Sequence, residues 1–129
     1  MGKTNSDLTN AEWAIMEYLW ENSGATSRSI CSAMTKSKGW SRSTTLTMLQ
    51  RLEHKMAISC NESGAVNTYS ALLSREEAAG HETDDLLERV YHGSLGMMVS
   101  ALTRRRELSD EEINELYAIL KNVQGGGSQ

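Results

Sequence analysis

Three times between residues 8 and 56 the apolar positions recur with the period of a helix, and after that the period changes. Thr9 and Glu12 stand three residues apart, the spacing of a capping box. In that arrangement the hydroxyl and the carboxylate each accept an N–H that the first helical turn leaves unpaired. Trp13, Met16, Leu19 and Trp20 share the buried side of a first helix that runs to about Asn22, and Ser23-Gly24 ends it. Leu8 is placed to staple the entry of that helix against Trp13. A second helix starts at Ser27, carries Ile30, Ala33 and Met34 at helical spacing, and is broken by Gly39. Ser41 or Ser43 caps a third helix over about 42–56, where Thr45, Met48, Leu49, Leu52 and Met56 form one stripe.

Alternation replaces that period over 57–61 and 66–70, two short strands joined by Glu62-Ser63-Gly64-Ala65, with Gly64 expected to supply the positive φ of a hairpin turn. From Ser74 the pattern is helical again, with capping boxes at Ser74/Glu77 and Ser109/Glu112. Apolar stripes run through Thr83, Leu86, Leu87, Val90 and Tyr91, then Leu95, Met98, Val99 and Leu102, then Ile113, Leu116, Tyr117 and Leu120. Gly93 and Gly96 predict a break around 92–96. The fold class expected is mainly α with a small β-hairpin: a winged helix-turn-helix domain over 1–73 and a helical domain over 74–122. Residues 123–129 read as a flexible glycine-rich tail. The first domain can close its own core, so the stripes of the second are expected to be buried against a second copy, in a homodimer. An unrelated α+β domain has the same element order, and fold pattern alone does not establish function.

Charge changes that picture. The net charge of −4 is unevenly spread. Residues 27–60 hold Arg28, Lys36, Lys38, Arg42, Arg51 and Lys55 against the single acid Glu53, whereas 74–129 hold eleven acids against six bases. A basic segment joined to an acidic one points to a polyanion on one part only. On the third helix, Ser43, Thr47, Gln50 and His54 lie opposite the apolar stripe, flanked by Arg42, Thr44, Arg51 and Lys55. Hydroxyls and an amide suit base edges and cations suit phosphates, so this face fits a DNA groove.

Other chemistry is sparse. No nucleophile elbow, phosphate loop, dinucleotide fingerprint or zinc-protease motif occurs, so no enzyme and no cofactor are expected. Cys31 and Cys60 lack metal or redox spacing and read as reduced packing thiols. Apolar runs are far too short for a membrane span and no secretory signal is apparent, so a cytoplasmic location is expected. His81, Asp85, Glu88 and His92 fall at i, i+4, i+7 and i+11, a spacing open to a metal ion or to an ordinary solvated face with an i,i+4 pair.

Leu8-Thr9-Asn10-Ala11-Glu12-Trp13-Ala14-Ile15-Met16, the run Trp40 to Leu52 and Leu108-Ser109-Asp110-Glu111-Glu112-Ile113 together resemble the penicillinase repressor (BlaI/MecI/CopY) family over about residues 8–121. The resemblance implies a dimeric winged-helix repressor binding a TACA…TGTA palindrome in double-stranded operator DNA upstream of β-lactam-resistance or copper-homeostasis genes. By motif position it implies base-side contacts from Thr44 and Thr47. Ser41, Arg42, Arg51 and Lys55 become phosphate or positioning contacts, and Asn67 and Tyr69 belong to the wing. Ser43 and Gln50 complete the expected DNA-binding set. Several positions depart from the family pattern. Leu46 stands where a basic residue is usual, Thr45 where an apolar β-branched one is, and Met56 where glycine is common. The wing lacks its customary arginine, and no proline follows Tyr69. In β-lactam-responsive members a membrane sensor's signal leads to cleavage of an Asn–Phe bond, and here Ala101-Leu102 falls at that place. The copper-responsive members' cysteine motifs are absent from this tail. A copper- or metal-responsive repressor, and a winged-helix interaction module without DNA binding, stand as alternatives.

Overall fold

In the computed structural model, which describes residues 7–126, the helices are α1 (Asn10–Glu21), α2 (Ser27–Lys38), α3 (Arg42–His54), α4 (Arg75–Tyr91), α5 (Leu95–Arg105) and α6 (Asp110–Gly126). Each of these follows a serine or threonine whose hydroxyl accepts the backbone N–H three residues on. The pairs are Thr9 with Glu12, Thr26 with Ser29, Ser41 with Thr44, Ser74 with Glu77, Ser94 with Met97 and Ser109 with Glu112, at 3.0–3.2 Å. Each such cap is worth about 1 kcal/mol. All three capping boxes expected from the sequence form, because Glu12, Glu77 and Glu112 also accept from the N–H groups of Thr9, Ser74 and Ser109.

Three strands make one antiparallel sheet in the order β1-β3-β2: β1 (Ala25–Thr26), β2 (Ile58–Asn61) and β3 (Thr68–Ala71). The two-residue β1 was not expected from the sequence, since two residues show no period. It pairs Ala25 with Tyr69 and Thr26 with Thr68, making β3 the central strand. The connection between β2 and β3 spans 62–67, longer than expected, and Gly64 has no positive φ. Instead Asn61 Oδ1 accepts from the Ser63 N–H at 3.0 Å and from its hydroxyl at 2.7 Å, so a side chain closes the turn.

The core gathers Ile15, Met16 and Leu19 of α1, Ile30 and Met34 of α2, Leu49 and Leu52 of α3, and Ala57, Ile58 and Tyr69 from the sheet region. Trp13 and Trp20, expected on the buried side of α1, are half-buried, with rings 5.4 Å apart edge to face. Leu73 O accepts from the Trp20 indole N–H at 2.8 Å, and the Arg75 guanidinium lies 4.9 Å from the Trp20 ring centroid. Arg75 also pairs with Glu17 at 2.7 Å, and Ala78 is fully buried. The first turns of α4 therefore belong with α1. Internal contacts divide the chain inside α4, with one unit ending at Asp85 and another beginning at Leu86.

Two expectations about side-chain placement fail for one reason, backbone handedness. Met56 is not on the buried stripe of α3. The helix stops at His54, Met56 has φ 65°, and its side chain is 66 % exposed. His92 does not extend the polar face of α4, because that helix ends at Tyr91 and His92 has φ 53°. His92, Gly93 and Ser94 form the break expected between the two helices. In the second unit, α6 continues through residues 123–126, which the sequence reading assigns to the tail, while residues 127–129 lie outside the described residues.

Candidate nucleic-acid interface

A sharp turn between α2 and α3 builds the site. Gly39 ends α2 at φ 72°, a backbone state that disfavours a β-carbon, and its N–H closes on Thr35 O at 2.9 Å. Trp40 is half-buried against the core, and its carbonyl accepts the Thr35 hydroxyl at 2.8 Å. Three residues after the glycine, at Arg42, the chain is helical again. Thr45, Leu49 and Leu52 anchor α3, with Leu46 and Met48 partly buried beside them, so the opposite face is turned outward. Thr45 is accommodated in the core because its hydroxyl donates to Ser41 O at 3.3 Å.

The outward face carries Arg42, Ser43, Thr44, Thr47, Gln50, Arg51 and His54, all exposed. At its N-terminal end, Ser41 Oγ accepts the Thr44 N–H and donates to Thr44 Oγ1 at 3.1 Å, with Ser43 Oγ 3.2 Å away. Thr44 thus keeps its own hydroxyl proton to offer. A groove of about 370 Å³ lined by Thr47, Gln50, Arg51, His54 and Lys55 runs along the C-terminal half. His54 lines it too, although it is not in the expected contact set; its place opposite the apolar stripe is the available signal. Lys36 and Lys38 occupy the last turn of α2. Neither Arg42 nor Arg51 has an acidic partner among the described residues, so both are available to an anion.

Lys55 differs. Its Nζ donates to Glu12 Oε1 at 2.5 Å and to Asp7 O at 2.7 Å, and the Glu12 side chain is 1 % exposed. Its charge compensates a buried carboxylate instead of standing free. Tyr69 stands on the expected wing strand, β3, but its side chain belongs to the core at 8 % exposure, paired with Cys60 across the β2–β3 ladder. Burial and its hydrogen bond to Cys60 push the Tyr69 hydroxyl up to about 12. Burial likewise raises the Cys60 thiol, partly offset by Tyr69. Asn67 is exposed on the β2–β3 connection. Cys31 is buried in α2.

Elsewhere, Leu86, Val90, Leu95, Val99, Leu102, Ile113, Leu116, Tyr117 and Leu120 remain 37–69 % exposed, while Leu87, Tyr91 and Met98 are partly buried. Ala101 and Leu102 lie inside α5. Among the described residues no group of three or more histidines, cysteines or carboxylates gathers around a metal-sized site. No helix among them is long and apolar enough to cross a membrane.

Comparison with known proteins locates this arrangement. A family model described as penicillinase repressor matches residues 8–122. A penicillinase repressor of Bacillus licheniformis is 32 % identical over 114 residues, covering 88 % of this chain and 89 % of that protein. The methicillin resistance regulatory protein MecI of Staphylococcus aureus (strain N315) is 26 % identical over 120 residues, covering 93 % and 98 %. Among solved structures, the DNA-binding domain of the repressor BlaI superposes with a TM-score of 0.51 at 27 % identity, over 55 % of this chain and 87 % of that one.

Proposed function

The chain belongs to the penicillinase repressor family, whose members are DNA-binding repressors and not enzymes, and from that premise we propose that it represses as a homodimer on palindromic operator DNA. One observation carries the proposal. The outward face of α3 presents Thr44, Thr47 and Gln50 between Arg42 and Arg51, behind the turn at Gly39, and among the described residues neither guanidinium has an acidic partner. In this reading α3 enters the major groove, the hydroxyls and the amide meet base edges, and the arginines meet phosphates. Ser41 and Ser43 order the N-terminal end, and Asn67 faces the backbone from the wing. A leucine at position 46 packs inward, so that position gives the duplex no cation.

The exposed apolar faces of α5 and α6 favour pairing with a second copy, since contiguous apolar surface is rarely left to water. The names of the relatives, a penicillinase repressor and a methicillin resistance regulatory protein, support regulated genes of the β-lactam-resistance type. Release by a sensor-protease pathway at Ala101-Leu102 would need α5 to unwind first, because a protease takes an extended segment. Release by cleavage at another bond or by a ligand fits the chain better, and intact protein on DNA throughout induction would rule out cleavage.

Fluorescence anisotropy with the TACA…TGTA palindrome and a scrambled duplex, each at two salt concentrations, tests the reading. A steep salt slope with preference for the palindrome is the expected result. Equal salt-sensitive binding to both means a changed operator. Absence of binding at low salt sinks the repressor reading and leaves the interaction module.

A further inference from the structure

The cation at the end of α3 has an assignment that its sequence position does not give. Lys55 is the C-cap of α3, and its Nζ spends two donors on the entry to α1: Glu12 Oε1 at 2.5 Å and Asp7 O at 2.7 Å. Glu12 is the third residue of α1, is 1 % exposed, and closes the Thr9 capping box with the same oxygen, at 2.9 Å from the Thr9 N–H. One carboxylate oxygen therefore joins the start of α1 to the end of α3. A buried carboxylate is tolerated only while paired and hydrogen-bonded, which makes this contact hard to exchange for a phosphate outside the protein. Thr47, Gln50, Arg51 and His54, which line the same groove as Lys55, all sit on the helix so held.

We propose that Lys55 is a positioning residue for operator binding, fixing the C-terminal end of α3 on α1 through Glu12, and is not a phosphate contact. This rests on the DNA-binding reading above. The two roles separate experimentally. A phosphate contact weakens all duplexes alike and makes the salt slope shallower by about 0.9 for each protomer engaged. A positioning residue costs base readout and leaves the slope alone.

Anisotropy titrations over a salt series with the palindrome and the scrambled duplex should therefore compare the unaltered chain with Lys55→Met, Lys55→Arg, Arg51→Met and the double variant Glu12→Gln/Lys55→Met. For Lys55→Met the expected result is about tenfold weaker palindrome binding, less than about twofold loss on the scrambled duplex, and an unchanged slope. Lys55→Arg should restore most of the preference, and Arg51→Met should lose slope on both duplexes. If Lys55→Met does not fold, the double variant leaves no buried charge, keeps the net charge and is read the same way: reduced preference, unchanged slope. A slope loss matching that of Arg51→Met, with preference intact, overturns the inference while the DNA-binding reading stands. Failure of the unaltered chain to bind either duplex at low salt overturns both.

Discussion

Met56 is an L-residue held where glycine is at ease. Its φ of 65° costs about 1–2 kcal/mol, and its side chain is 66 % exposed, so packing returns little. Glycine there removes the strain but adds about 0.5–1 kcal/mol of unfolded-chain entropy. Met56→Gly is expected to stabilise the first unit by up to about 1 kcal/mol, read as a higher urea midpoint. Tyr69 supplies a pH signature. Its folded pKa of about 12 exceeds the ordinary value of 10.0, so its contribution is complete below pH 10. As pH rises from 10 towards 12 the unfolded chain loses the proton first and stability falls. Tyr69→Phe should flatten that part of the stability–pH curve, checked by denaturant melts at intervals through the window. Some residue roles were legible locally. Thr9 and Glu12 announce a cap three residues apart. The partner of Glu12 is 43 positions away, and no local pattern names it. Likewise Tyr69 reads as a wing residue by position, and only the pairing with β1 and β2 on both sides makes it central and buried.

At the scale of elements, helices were readable because a period and a cap coincide, as at Ser74, Glu77 and the stripe that follows. Strands were less so. Ala57 and Val66 look like strand residues by alternation, yet Ala57 O instead accepts the Leu72 and Leu73 N–H groups, and Val66 is 59 % exposed on the connection. The wing turn depends on Asn61, not on a glycine, so its fragility lies there. Asn61→Ala removes both hydrogen bonds to Ser63 and is expected to cost about 1 kcal/mol while leaving α3 intact. Faster amide exchange confined to β2, β3 and their connection would verify this. Exchange that rises equally in α1–α3 would show the turn to be part of the global unfolding unit instead. The metal-like spacing on α4 had the same weakness as the strand boundaries. It assumed that the helix continues, and the left-handed turn at His92 stops it.

For the molecule as a whole, the uneven charge is the clearest sign of two tasks, and the α3 guanidiniums, without an acidic partner among the described residues, give the basic half a specific surface. The acidic half carries the apolar faces of α5 and α6. If a second copy covers them, Leu116→Lys and Leu120→Lys together should shift the sedimentation coefficient to that of a monomer and make the melting temperature independent of protein concentration. A monomeric unaltered chain at micromolar concentration would remove the dimer from the proposal. The edge-to-face indoles of Trp13 and Trp20 bear on how such experiments can be run. Rings 5.4 Å apart couple their electronic transitions, and the chain has only one further tryptophan, Trp40. Both rings stand on α1, so circular dichroism of that couplet is an unlabelled optical readout of whether this face of α1, which also meets Arg75 of α4 at the Trp20 ring, keeps its side-chain arrangement.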